Sequence, residues 1–194
     1  MDYDIRVGGP FLDNDDIESV VNVLREGRLS GGIYSEYFEK AFAKFINVKH
    51  AVAVNSATSA LQLMLAVKGI GRGDEVITTP YSYAATANVI VLQGAKPVFV
   101  DIELDTYNID SSKIKEKITE KTKAIMPIHY GGQSSDMEDI MKIAKDNDLL
   151  VFEDAAPSAG AIYNERKVGS IGDAGAFSFF PDKNMTTGEG GMLT

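Results

Sequence analysis

Along the chain, short runs rich in β-branched and aromatic residues alternate with segments whose apolar positions recur at helical spacing. The runs predict strands over 51–54, 75–79, 97–101, 123–128, 149–153, 174–179 and 190–194. Most are almost continuously apolar, as in Lys96-Pro-Val-Phe-Val-Asp101, which is how strands covered on both faces read. Between them the spacing predicts a helix over 14–26, with Ile17, Val20, Val21 and Leu24 on one face and a stop at Gly27. A second helix, over 35–46, carries Phe38, Phe42, Phe45 and Ile46. Helices over 58–68 and 83–93 run into Lys68-Gly69 and Gln93-Gly94. A helix over 134–147 begins at Ser134 and carries Met137, Ile140, Met141 and Ala144. Strands and helices in alternation predict an α/β fold, a mainly parallel sheet with helices on both faces.

Composition narrows the function classes. The 194 residues suffice for one domain with a sizeable core, and 44% hydrophobic with 24% charged residues is ordinary for a globular protein. A net charge of -9 argues against nucleic-acid binding, which needs a basic face. A phosphate-bearing ligand would therefore be held by local amides and hydroxyls rather than by a cationic surface. No apolar run approaches the roughly 20 residues of a membrane helix. The start, Met1-Asp-Tyr-Asp-Ile-Arg6, lacks the basic and apolar regions of a secretory signal. A cytoplasmic location is expected, and the Asn184-Met-Thr186 sequon then carries no glycosylation. Cysteine is absent, so there are no disulfides or thiolate metal sites.

In an open α/β sheet, ligands gather beyond the carboxyl ends of strands. Three such ends carry usable groups. Ala53-Val-Asn-Ser-Ala-Thr-Ser-Ala60 offers free amides and the hydroxyls of Ser56, Thr58 and Ser59 at a helix start, which suits a phosphate. It reads equally as an ordinary helix N-cap. Thr79-Pro-Tyr-Ser-Tyr83-Ala-Ala-Thr86 brings aromatic rings to a strand–helix junction, where Tyr83 could stack on a flat ring or simply pack. Asp154 ends the apolar run Leu149-Leu-Val-Phe-Glu153, and Lys183 lies in the small-residue stretch Phe177 to Gly191. A loop lysine can form a Schiff base with a carbonyl cofactor, and a buried aspartate can hold a pyridinium nitrogen. Those are the two groups needed to run pyridoxal phosphate (PLP) as an electron sink. Competing motifs fail: Gly69-Ile-Gly-Arg-Gly73 has the wrong spacing for a dinucleotide loop, and there is no Walker motif or H-E-x-x-H. His50 and His129 are too few for a metal site. His129 could line the pocket or serve as a structural hydrogen-bonding residue.

The ordered motifs make the chain resemble PLP-dependent nucleotide-sugar aminotransferases of the DegT/DnrJ/StrS type. The resemblance rests on Asn55-Ser-Ala-Thr-Ser-Ala-Leu61, Gly71-Arg-Gly-Asp-Glu-Val-Ile77, Ala95-Lys-Pro-Val-Phe-Val-Asp101, Thr106-Tyr-Asn-Ile-Asp110, Pro127-Ile-His-Tyr-Gly-Gly-Gln133, Glu153-Asp-Ala-Ala156 and Ser178-Phe-Phe-Pro-Asp-Lys-Asn184. It implies the large domain of fold-type I PLP enzymes, with a mainly parallel sheet of seven strands. Lys183 then corresponds to the lysine that binds the cofactor and shuttles a proton, and Asp154 to the partner of the pyridine nitrogen. Ala57, Thr58 and Ser178 correspond to phosphate-binding positions, and Tyr83 to the aromatic that stacks on the cofactor ring. The implied reaction moves an amino group from glutamate to a nucleotide-linked keto-sugar, in a homodimer.

Two departures qualify the resemblance. Relatives carry His or Gln three residues after the aspartate, where this chain has Pro157; Ser158 is the neighbour that could compensate. Relatives are also about twice as long. Residues 1–194 are therefore expected to form the PLP-binding large domain, with 1–30 as an N-terminal helical arm, without the small C-terminal domain and unable to complete a transamination alone. Another fold-type I PLP reaction, such as a lyase, or a non-catalytic fragment are the alternatives. A dehydrating branch with His in place of the lysine is disfavoured by Lys183.

Overall fold

The computed structural model describes residues 9–27 and 29–194. The first eight residues of the expected arm, and residue 28, lie outside them. Each strand leads into a helix or loop that returns over a face of one sheet. The elements are α1 (Asn14–Glu26), α2 (Ile33–Ile46), β1 (Val52–Val54), α3 (Ala57–Val67), β2 (Glu75–Thr78), α4 (Ala85–Leu92), β3 (Lys96–Phe99), β4 (Thr122–Ile125), α5 (Met137–Asp146), β5 (Leu150–Asp154), β6 (Ile162–Tyr163), β7 (Arg166–Lys167), β8 (Ala174–Ser178) and β9 (Gly191–Leu193).

Seven of the strands form one sheet in the order β1-β9-β8-β5-β4-β2-β3. The block β8-β5-β4-β2-β3 is parallel, and β9 runs antiparallel to both of its neighbours. The mainly parallel sheet expected from the apolar runs is observed, with β9 as its antiparallel member.

Alternation along each strand sorts its side chains into cores on opposite faces. Val76, Ala124, Phe152, Ala176 and Leu193 pack with α3 and α4 through Leu61, Met64, Leu65, Val89 and Ile90. Ile77, Ile125 and Val151 turn the other way, toward Ile140, Ile143 and Ala144 of α5. On that second face Phe177 and Met192 meet Phe42 and Ile46 of α2. Phe42 and Phe177 are edge-to-face, with ring centroids 4.9 Å apart.

Both sheet edges are protected. Pro97 has no N–H to offer, which suits β3 to an edge. At the opposite edge Glu39 Oε1 accepts the Ala53 N–H at 2.8 Å, capping a donor of β1 that has no strand beside it.

Two expected helix starts move, and one hairpin is added. The helix predicted to start at Ser134 starts at Met137, because Asp136 caps it by accepting the Asp139 N–H. Ser134 is spent elsewhere, its hydroxyl donating to the Ser135 carbonyl at 2.8 Å. The helix predicted from residue 83 starts at Ala85, leaving Tyr83 in the preceding turn. The hairpin β6-β7 went unforeseen: its strands are two residues long, and its turn residues Asn164 and Glu165 take φ of 45° and 64° without a glycine.

Helix α1 follows its sequence pattern closely. Asp13 and Asp16 form a capping box, and Gly27 closes the helix in the left-handed region. Its apolar stripe of Ile17, Val20 and Leu24 is exposed. Among the described residues no helix is long and apolar enough to cross a membrane.

Gly191 is where the sheet meets α3. A Cβ there would lie 2.4 Å from Ser56 C and 2.6 Å from Ala57 N, both backbone atoms. Gly191→Ala should therefore force the helix start off the sheet. The expected cost is about 1–3 kcal/mol, typical of overpacking, and is checked by the thermal or urea midpoint.

Candidate active site

Asp154 and Glu153 are neighbours on β5, so their side chains point to opposite faces of the sheet. Both are buried. Backbone bonds fix this strand end: Asp154 N–H donates to the Pro127 carbonyl at 2.8 Å, and His129 N–H to the Asp154 carbonyl at 3.1 Å.

On the face of α3 and α4, Asp154 Oδ2 accepts the Thr86 hydroxyl at 2.7 Å. Its Oδ1 accepts the Ala156 N–H at 3.2 Å. Burial pushes the Asp154 carboxyl above the ordinary aspartate range, and the Thr86 and Ala156 donors and the Lys183 charge oppose that.

On the opposite face Glu153 is the acceptor of four donors. His129 Nε2 lies 2.9 Å from Oε2, and the Gly169, Ile171 and Gly172 amides each donate at 2.7 Å. Burial pushes the Glu153 carboxyl up, but the His129 and backbone donors outweigh it and hold it below the usual range. The other His129 nitrogen, Nδ1, accepts the Ser135 N–H at 3.1 Å. That bond places the ring proton on Nε2, facing the carboxylate. Of the two roles open to His129, the structure shows the hydrogen-bonding one: the ring is fully buried with both nitrogens engaged.

Lys183 sits on the excursion that links β8 to antiparallel β9. Phe179 is buried at the base of this loop, with its N–H bonded to the Gly190 carbonyl and its carbonyl accepting the Thr187 N–H. Asn184 Nδ2 donates to the Ala159 carbonyl at 2.7 Å, tying the loop to the segment after Asp154. The Lys183 side chain is 25% exposed, with Nζ 3.2 Å from Asp182 Oδ1.

The start of α3 completes the group. Ser56 caps the helix by accepting the Ser59 N–H. The Ala57 and Thr58 amides occupy first-turn positions that have no intrahelical acceptor. Register places Ser178 opposite Gly191, and Gly191 opposite Val54, so Ser178 stands across a side-chain-free strand position from the helix start.

Asp154, Ser178 with the Lys183 loop, and Ala57 with Thr58 thus follow the carboxyl ends of β5, β8 and β1. Tyr83 is joined to them through the Thr86 N–H, which donates to its carbonyl at 3.1 Å, while the residue itself is 82% exposed. Ser158, beside Pro157, is buried, and its hydroxyl donates to the Ala155 carbonyl at 3.1 Å. Sequence reasoning missed the contact of Thr86 with Asp154. The spacing of Ser82 and Thr86 by one helical turn was the available signal.

Two clefts of about 470 and 270 Å³ lie along α3, the first by Asn55, Ser59 and Gln93, the second by Val52, Val67 and Leu193. Neither is lined by any of these site residues. Among the described residues no cluster of three or more His, Cys, Asp or Glu could hold a metal ion.

A buried carboxylate, a loop amine and an open helix start thus lie at the carboxyl ends of parallel strands in an α/β fold. The chain belongs to the DegT/DnrJ/EryC1/StrS aminotransferase family, whose model matches residues 10–194. It is 52% identical over 185 residues to the spore coat polysaccharide biosynthesis protein SpsC of Bacillus subtilis, covering 95% of this chain and 48% of SpsC. It is 47% identical over 191 residues to the GDP-perosamine synthase of Caulobacter vibrioides, covering 98% of this chain and 52% of that protein. Among solved structures, Spr1654 of Streptococcus pneumoniae in its PLP form superposes with a TM-score of 0.95 at 35% identity, covering 99% of this chain and 53% of that one. The chain spans about half the length of these relatives.

The carboxylate of Glu153 yields a prediction on pH. Its folded-state affinity for protons is below that of the unfolded chain, so it stabilises the fold above the unfolded glutamate range. That stability is lost as pH falls through the lower, folded value. Glu153→Gln leaves a donor facing backbone amides and should cost about 3–5 kcal/mol near neutrality. The penalty should shrink as pH falls toward and below the glutamate range, read from urea midpoints across pH 3–7.

Proposed function

We propose that this chain forms the cofactor-binding part of a PLP-dependent aminotransferase acting on a nucleotide-linked keto-sugar, with glutamate as amino donor. The observation that supports the proposal is that Asp154, Lys183, Ser178 and the start of α3 all lie at the carboxyl ends of β5, β8 and β1. The donor set fits the cofactor: an amine for a carbonyl carbon, a buried acceptor for a ring N–H, and amides with hydroxyls for a phosphate. When bound, PLP supplies an electron sink that makes the α-hydrogen of an amino donor acidic.

Lys183 Nζ would anchor the cofactor and, once released, take the proton from the donor's α-carbon and return one during transfer. Asp154 would keep the ring nitrogen protonated, since a carboxylate in a low-dielectric site prefers a cationic N–H partner. The Ala57 and Thr58 amides and the Thr58 and Ser178 hydroxyls would hold the phosphate without a cationic side chain from residues 53–60. The Tyr83 ring would cover one face of the cofactor. A sugar substrate is supported by relatives named for polysaccharide biosynthesis and GDP-perosamine synthesis. A homodimer is supported by the exposed apolar stripe of α1, a face of the kind that associates.

The test of cofactor binding is chemical. PLP-treated protein reduced with borohydride should carry a pyridoxyl group on the Lys183 peptide. Labelling at another lysine with Lys183 unmodified would overturn the assignment. For the substrate, the whole protein with glutamate and a panel of nucleotide keto-sugars should yield aminated sugar and 2-oxoglutarate. Loss of ammonia without amination would replace transfer by elimination. Asp154→Asn should cut turnover by a factor on the order of 10² while cofactor still binds.

A further inference from the structure

We propose that Thr86 is a positioning residue for Asp154: its hydroxyl, oriented by Ser82, holds the carboxylate in place and in its ionised form at the point where it would face the cofactor ring. The part of this that concerns the ring rests on the assignment of Asp154 to the pyridine nitrogen. The coupling between Thr86 and Asp154 stands on geometry alone.

Thr86 lies in the first turn of α4 and is 1% exposed. Its Oγ1 is 2.7 Å from Asp154 Oδ2, 2.6 Å from Ser82 Oγ and 3.2 Å from the Tyr83 carbonyl. A hydroxyl has one proton to give. The carboxylate, closer than the carbonyl and charged, is the stronger acceptor, so Thr86 donates to Asp154 and Ser82 donates to Thr86. With the Ala156 N–H on Oδ1, the anion then receives one protein donor on each oxygen.

The chain reverses if Asp154 is protonated. The acid would then donate to Thr86 Oγ1, and the Thr86 proton would turn to Tyr83 or Ser82. The hydroxyl polarity therefore follows the charge on the carboxyl, and losing the hydroxyl removes the side-chain donor that favours the anion. Burial raises the Asp154 proton affinity, and Thr86 is the leading opposing influence. The other groups acting on this carboxyl are Lys183, from the loop after β8, and His129, from the segment after β4. Glu153 adjoins it on β5 but faces away.

The test uses Thr86→Val, which keeps the shape and removes the hydroxyl, and Thr86→Ser, which restores it. In cofactor-free protein labelled with ¹³C-aspartate, the Asp154 carboxyl should titrate at higher pH in the valine variant and return toward wild type in the serine variant. Ser82→Ala should shift it in the same direction by less, and covers the case in which the valine variant fails to fold. In PLP-loaded protein, Thr86→Val should alter the pH dependence of the visible absorption and weaken cofactor binding roughly tenfold, about one charged hydrogen bond. Titration and spectra indifferent to all three substitutions would overturn the proposal. Wild-type protein that takes up no PLP, while Asp154 still responds to Thr86→Val, would overturn the cofactor assignment and uphold the coupling.

Discussion

The carboxylate of Glu153, shut away from water, is the interaction on which the site side of this fold depends. An unpaired buried carboxylate would be costly, and this one is made tolerable by four converging donors. Those donors come from two places far apart in sequence, the ring of His129 and the turn at 169–172. In accepting them Glu153 clasps the segment after β4 and the entry to β8 onto the end of β5. The tight packing of that turn shows at Gly169, where a Cβ would sit 2.2 Å from Phe177 Cζ.

Strand periodicity converts this clasp into a site. With Glu153 committed to one face, Asp154 must emerge on the other, where α4 supplies Thr86. One carboxylate is locked by many donors and the next receives few, which leaves the second with lone pairs to offer. Two adjacent acids of similar intrinsic chemistry thus have opposite tendencies, one held below its ordinary proton affinity and the other pushed above it. The difference comes from the number and nature of the donors, since both are buried.

Much of this was legible in the sequence because burial on two faces writes itself as continuous apolar runs. The seven main strands and the five helices follow from those runs, and polar residues at their ends mark Asp154, Lys183 and Thr58 as candidates, while the role expected of Ser178 comes from the family resemblance. What escaped depended on contacts between distant segments. Ser134 looks like a cap and instead gives its hydroxyl proton to the Ser135 carbonyl, so α5 begins later than the sequence suggests. Ser158 looks available beside Pro157 and is folded back onto Ala155. Thr86 looks like one more small residue in a helix, and its partner lies 68 residues away.

The antiparallel strand β9 carries a consequence for the order of assembly. β1 emerges early, yet among the described residues it is hydrogen-bonded in the sheet only to β9, about 140 residues later in sequence. Closing a loop of that length is entropically slow, whereas the parallel block from β2 to β8 is built from shorter crossovers. The helix start at Ala57 leans on Gly191 of that same late strand. The corner at the start of α3 is thus the last part of the sheet to gain its backing, and an anion held there would draw together two segments far apart in sequence.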